Sequence, residues 1–402
     1  MSAIPVQERR AAERVGSSAI RDLLALTERP DIISLAGGLP APDTFPVGAV
    51  ADAAARVLAA GPAALQYGLT EGDPALRAWI ARAHDVRPEQ VLVTHGSQQA
   101  LDLVVRTLLP ARAAVALADP AYVGALQVLR LAGAELLALP SDEGGLVVDA
   151  LAEVLAAGHR VDAVYVVPVF DNPTGATLAD GRRRHLMALA AAHGFLVIED
   201  DPYRELRFTD AVPRPLREDA RAVGAADRLI TLGSFSKVLA PGLRVGYLVA
   251  APELRAEVAI IKQAADLHTS TFGQRVVAEV VADGPAFAAH LDALRARYRV
   301  QAGAITDALV AHLGPRATFV APTGGMFVWV EVDGVTDSDA LLLAALDRGT
   351  AFVPGSAFAV DRTLRAGLRL SFATVSADEI DEAIRRLAAA IDTIDPVDAA
   401  GA

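Results

Sequence analysis

The chain has 402 residues, 53% hydrophobic and 21% charged, enough for one large domain, a smaller one and a substantial buried core. A formal net charge of −12 argues against nucleic acid as the main partner, and the absence of cysteine excludes disulfides and thiolate chemistry. The opening stretch MSAIPVQERRAAER has no apolar signal-peptide core and no apolar run reaches membrane-spanning length, so a cytoplasmic protein without a membrane partner is expected.

Residues 1–15 are polar, and 18–27 carry apolar residues at helical spacing behind an N-cap candidate, Ser17 or Ser18. The segment 35–42, LAGGLPAP, is too rich in glycine and proline for a regular element. Helices are expected over 47–60 and 74–84, the second with proline in its first turn. Strands over 91–94, 114–118, 135–139, 163–168 and 195–199 then alternate with helices over 100–109, 122–131, 148–155 and 179–192. Near-continuous apolar strands separated by helices imply a mainly parallel sheet covered on both faces. Two further apolar runs, 229–232 and 245–250, flank the connection GSFSKVLAPGLR. Beyond residue 250 the pattern changes to helices over 252–265, 286–313, 338–348 and 377–391, with short strands over 318–320, 326–330, 351–353 and 368–372. That is the pattern of a smaller α+β unit. The expected division is an N-terminal arm and helix over 1–30, a large domain over 31–284 and a small domain over 285–402, with a loose tail from 395.

The chemistry concentrates after strand ends. Ligands of open α/β sheets bind beyond the carboxyl ends of the strands. Gly96-Ser97-Gln98, Tyr122, Asn172, Asp200 with Tyr203, and Ser234 to Lys237 all fall there. Two hydroxyls, an amine and a guanidinium (Ser234, Ser236, Lys237, Arg244) lie within eleven residues and can hold a phosphate while leaving a nucleophile free. Of 37 basic residues only Lys237 and Lys262 are lysine, leaving 35 arginines. Arginine serves any electrostatic role but is effectively never deprotonated, so a lysine at this place suits chemistry that needs a titratable amine, such as a Schiff base. Gly96-Ser97-Gln98 opens a helix, where free N–H groups favour an anion, although alone it would read as a simple cap. Asp200 ends an apolar strand, where a carboxylate needs a cation, a strong donor or a capping role. Tyr122 offers a flat face for stacking or a core ring, and Asn172 and Tyr203 can donate to an oxyanion. No nucleotide-binding glycine motif is properly placed, and no metal-ligand cluster is expected.

Together GSFSKVLAPGLRVGY, FDNPTG, VIEDDPY, THGSQQALD, SLAGGLPAPDTFP and GLRLSFAT resemble a fold type I pyridoxal-phosphate aminotransferase, in particular the 2-aminoadipate and multi-substrate subgroup. The resemblance runs from about Ser18 to Ala390. It implies a mainly parallel sheet of the seven-stranded type, pyridoxal 5'-phosphate as cofactor, and transfer of an amino group between an L-amino acid and a 2-oxo acid such as 2-oxoglutarate. It further implies that Lys237 binds the cofactor covalently and moves the proton, that Asp200 pairs with the ring nitrogen, and that Asn172 and Tyr203 hold the phenolic oxygen. Tyr122 would stack on the ring, while Ser97, Gln98, Ser234, Ser236 and Arg244 would bind the phosphate. A homodimer with shared sites follows, in which Tyr67 is lent to the partner's phosphate. Arg369 matches the clamp for the substrate α-carboxylate, Gly38 lets backbone approach the same spot, and Arg21 matches a residue linked with side-chain recognition. A lyase or decarboxylase could use the same lysine and ring. A transcription regulator on this fold would need a DNA-binding domain, yet only about thirty residues precede the first family motif here.

Overall fold

The computed structural model describes residues 31–361 and 364–394. Strand β1 (Ile33–Ser34) is followed by helices α1 (Val47–Ala59) and α2 (Pro74–Ala83). Asp73 caps α2 by accepting from the Ala75 and Leu76 N–H groups, and Pro74 occupies the first turn, where a missing N–H costs nothing. Then come β2 (Val91–Thr94), α3 (Gly96–Leu108), β3 (Ala114–Asp119), α4 (Val123–Ala132), β4 (Glu135–Asp142), β5 (Gly145–Leu146), α5 (Val148–Ala156), β6 (Ala163–Val166), α6 (Asp180–His193) and β7 (Leu196–Asp200). Helix α7 (Leu216–Ala222) and strands β8 (Leu229–Ser234) and β9 (Gly246–Val249) complete the large sheet.

Its order is β2-β9-β8-β7-β6-β3-β4-β5. β3, β4, β6, β7 and β8 are parallel. β9 runs antiparallel to both β8 and β2, so β2 points the same way as the parallel set. The eighth strand is the two-residue β5, folded back on β4 and too short to register as a hydrophobic run. Side chains alternate between two covered faces, as a strand period of two requires. On β6, Ala163 and Tyr165 pack into one core, while Val164 and Val166 pack into the other beneath α5, α6 and α7.

Two helices emerge that sequence periodicity alone did not separate out: α7, and α9 (Thr271–Ala282), which follows α8 (Pro252–Asp266). α9 buries Val276, Val277, Val280 and Val281, and Ser270 caps it by accepting from the Gly273 N–H. Leu267, in the left-handed region at φ 62°, ends α8 and turns the chain. The 29-residue α10 (Gly284–His312) leads into a four-stranded antiparallel sheet, β10-β11-β14-β13, from β10 (Ala317–Phe319), β11 (Phe327–Val332), β13 (Val353–Pro354) and β14 (Leu368–Ser371). α11 (Ser338–Asp347) and α12 (Ala377–Ile394) complete the unit. The single strand expected over 351–353 is divided: β12 (Thr350–Ala351) pairs in parallel with β1, and β13 joins β14. Residues 31–35, placed by the expected boundaries at the start of the large unit, therefore hydrogen-bond to the C-terminal half. The expected helix over 18–27 and tail from 395 lie outside the described residues.

Candidate active site

Because the parallel strands and β2 share a direction, their carboxyl ends open on one edge of the sheet, where a cavity of about 420 Å³ lies. Lys237, after β8, lines it, as do Asp200 at the end of β7 and Asn172 and Tyr203 on neighbouring loops. Ser97 and Gln98 enter from the first turn of α3, Tyr122 from the start of α4, and Ser234, Ser236 and Arg244 from the β8–β9 connection. Gly38 and Arg369 close it from the segment after β1 and from β14. Segments separated by up to 331 positions of chain (Gly38 to Arg369) thus meet in one volume.

The Lys237 ammonium donates to the Gly38 carbonyl at 2.7 Å. Burial, then the charges of Arg369 and Arg244, lower its pKa to about 8, so a neutral amine is within reach near physiological pH. Asp200 is 4% exposed; its Oδ2 accepts from the Tyr165 hydroxyl at 2.9 Å, while Oδ1 is buried with no partner among the described residues. Burial pushes its carboxyl up to about 7, against the opposing Tyr165 hydrogen bond and with the help of Asp201, Asp171 and Glu199. An ionised carboxylate here requires a cationic donor at Oδ1.

Arg369 is 1% exposed: Nη1 donates to Asn172 Oδ1 at 3.0 Å and Nη2 to the Ala36 carbonyl at 2.6 Å, while Nε is buried with no partner among the described residues. Its guanidinium lies 4.4 Å from the Phe327 ring centroid and 5.1 Å from that of Phe358, two cation–π contacts. Burial lowers its pKa to about 10, which leaves it charged at neutral pH. The fixed fork suits a carboxylate. Asn172 Nδ2 donates to the Tyr203 hydroxyl at 3.4 Å, which ties arginine, amide and phenol into one chain of contacts. Burial raises the pKa of Tyr122 to about 12 and that of Tyr203 as well, so both keep their protons.

At the other end, α3 starts at Gly96, where φ is 76° and a Cβ would lie 2.9 Å from Arg244 Nη2. Arg244, itself in the left-handed region at φ 53°, donates from Nη2 to the His95 carbonyl at 3.2 Å. The Ser236 N–H donates to Ser234 Oγ at 3.1 Å. The first turn of α3, the Ser234 and Ser236 hydroxyls and the Arg244 guanidinium thus line the same end of the cavity, a donor set suited to an anion.

Tyr67 is not brought into this cavity: it is 78% exposed, its ring edge-on to His268 at 5.6 Å. Arg21 lies outside the described residues. Reading the sequence alone overlooked Tyr165, Phe327 and Phe358, which support the site residues. A hydroxyl in the apolar run AVYVV was the available signal for Tyr165, which pairs with Ile198, two residues before Asp200 and therefore on the same face of the sheet; the two phenylalanines gave none.

The chain matches the family described as "Aminotransferase class I and II" over residues 30–387. It is 44% identical over 383 residues to a 2-aminoadipate transaminase of Thermus thermophilus, covering 95% of this chain and 96% of that protein. It is 38% identical over 386 residues to aromatic-amino-acid aminotransferase 1 of Thermococcus litoralis, covering 93% and 91%. The crystal structure of an alpha-aminoadipate aminotransferase from Thermus thermophilus, complexed with N-(5'-phosphopyridoxyl)-L-leucine, superposes with a TM-score of 0.90 at 42% identity, over 97% of this chain and 99% of that one. The buried Asp200 oxygen, the lysine of lowered pKa and the donors around Gly96 fit pyridoxal phosphate, the group whose leucine adduct that crystal structure holds. The chain belongs to the class I and II aminotransferases and is a pyridoxal-phosphate-dependent transaminase.

Proposed function

We propose that this transaminase accepts acidic amino acids, glutamate or 2-aminoadipate, together with at least one apolar or aromatic one, with 2-oxoglutarate as an acceptor. The observation that carries the chemistry is Asp200 Oδ1, a buried carboxylate oxygen without a partner among the described residues, on a residue that lines the same cavity as Lys237. Ser97, Gln98, Ser234, Ser236 and Arg244 would hold the phosphate, Asn172 and Tyr203 the phenolic oxygen, and Tyr122 a ring face. When bound, pyridoxal phosphate supplies an electron sink for the substrate carbon that loses its proton. The protein's own part is positional and acid–base. Asp200 would accept at Oδ1 from the ring nitrogen's N–H and so favour its protonated form. Lys237 would hold the cofactor through its amine and, once displaced by substrate, carry a proton on Nζ to and from the substrate carbon that loses it. Arg369, locked by Asn172, Ala36 and the two phenylalanines, orients the α-carboxylate.

The working unit in this reading is a homodimer with shared sites, resident in the cytoplasm. Leu65 (71% exposed), Tyr67 and Leu69 (57%) present a run of bare apolar surface, which a second copy would cover. Breadth of substrate is supported by the relatives: one is named for 2-aminoadipate, another for aromatic amino acids. Arg21 is proposed to read the acidic side chain, Arg369 the carboxylate that all donors share. The test is a panel of L-amino acids, with loss of the cofactor's visible band as readout. Arg369→Ala should impair every donor, whereas Arg21→Ala should weaken only the acidic ones by about 1.5–3 kcal/mol, the scale of a charged hydrogen bond. Equal losses for both classes in the Arg21 variant would assign selectivity to another residue, and a wild-type panel restricted to one side-chain class would overturn the breadth.

A further inference from the structure

We propose that Lys262, the chain's other lysine, is a positioning residue for the cofactor's phosphate, acting through Asp266 on the first turn of α3. This rests on the reading in which that turn and Arg244 receive the phosphate. Lys262 is 0% exposed, and its ammonium meets both Asp266 oxygens at 2.8 Å, four residues further along α8. Asp266 Oδ2 then reaches across to α3: it accepts from Gln99 Nε2 at 2.6 Å and lies 2.9 Å from His95 Nδ1. Gln99 closes the circuit, its Oε1 accepting from the His95 backbone N–H at 2.8 Å. His95 is the N-cap of α3, and its carbonyl receives Arg244. One carboxylate therefore grips the residues on either side of Gly96-Ser97-Gln98, the stretch that faces the cavity.

The arrangement has an electrostatic cost that explains the lysine. A carboxylate beside a helix N-terminus satisfies donors, but it also repels any second anion bound at the same terminus. Burial opposes its charge, yet Gln99, Lys262 and His95 hold the Asp266 carboxyl below its ordinary value, so the charge is present. Lys262 cancels that charge from outside the cavity. It contributes nothing to the cavity wall itself, and a fully buried ammonium is expensive unless it serves such a pairing. The pair thus holds the turn in shape while leaving its N–H groups free for a phosphate.

The test compares affinity of the full-length chain for pyridoxal 5'-phosphate and for pyridoxal, which lacks the phosphate, by absorbance titration. Lys262→Met should weaken pyridoxal phosphate by about tenfold, the upper range of a charge effect at a helix end, with pyridoxal changed by less than about twofold. The double variant Lys262→Met/Asp266→Asn, which removes both charges, should regain most of the loss. Equal losses for the two ligands, or a double variant no better than the single one, would overturn the proposal. If Lys262→Met does not fold, Gln99→Ala decides: selective weakening for the phosphorylated ligand supports the role, and unchanged affinity for both refutes it. Arg244→Ala keeps the two readings apart, since unchanged pyridoxal phosphate affinity there would remove the phosphate site itself.

Discussion

Asp200 and Lys237 face the same cavity, and burial drives both toward their neutral forms, the acid upward to about 7 and the amine downward to about 8. For the cofactor-free protein the sign of the Asp200 effect follows directly. Between its ordinary value of 3.8 and about 7 the folded state retains a proton that the unfolded state releases, so stability falls as pH rises through that window. The cost is complete above pH 7. Asp200→Asn should therefore stabilise the cofactor-free protein at pH 8, on the order of 2–4 kcal/mol at 1.36 kcal/mol per unit, and leave it almost unchanged near pH 4. In the loaded enzyme the proposed role predicts a loss instead: the amide brings no negative charge to favour the protonated ring, so turnover should fall sharply. Thermal unfolding of both forms at the two pH values checks this. A cofactor-free variant no more stable than wild type at pH 8 would mean that Oδ1 already has a partner.

At the level of elements, the anion pocket depends on how closely β9 passes the start of α3. Gly246, opposite Thr94 and Ser234 in the sheet, would with a Cβ come within 2.5 Å of the Gly96 carbonyl carbon and 2.7 Å of the Ser97 nitrogen. All of these contacts are backbone, which cannot rotate away. Gly246→Ala should cost about 1–3 kcal/mol, as overpacking does, and should speed cofactor release by displacing the first turn of α3. The melting temperature and the decay of cofactor absorbance on dilution measure the two effects; normal cofactor retention would show that the close approach is not needed for the site. The sequence carried the letters of this contact, VGY directly after GLR, but not the distance between a strand and a helix that lie 150 positions apart (Gly96 to Gly246).

For the whole molecule the decisive test is complementation. Tyr67 is exposed and outside its own chain's cavity, as a residue lent to a second copy would be. Mixing Tyr67→Phe with Lys237→Ala chains places, in the mixed dimer, an intact lysine and an intact tyrosine in one site. Activity of the re-equilibrated mixture should exceed the average of the two parents. An activity equal to that average, or a fully active monomer by light scattering, would end the shared-site reading.

What the sequence determined by itself was local and chemical. Apolar runs of strand length alternating with helices, polar residues placed after strand ends, one of only two lysines among 37 basic residues, and the motifs of a known family were enough to nominate fourteen candidate site residues, of which twelve line one cavity. Alternation and strand polarity act over a few residues, so they can be read from the letters. Tertiary structure alone decided that Tyr165 backs Asp200, that Phe327 and Phe358 both lie against Arg369, and that β1 pairs with β12 across 317 positions (Ile33 to Thr350). Each of these is a contact between segments whose own local patterns are complete without it. Such contacts are set by packing at close-packed density and by the need to satisfy every buried polar atom, conditions that exist only once the whole chain has folded.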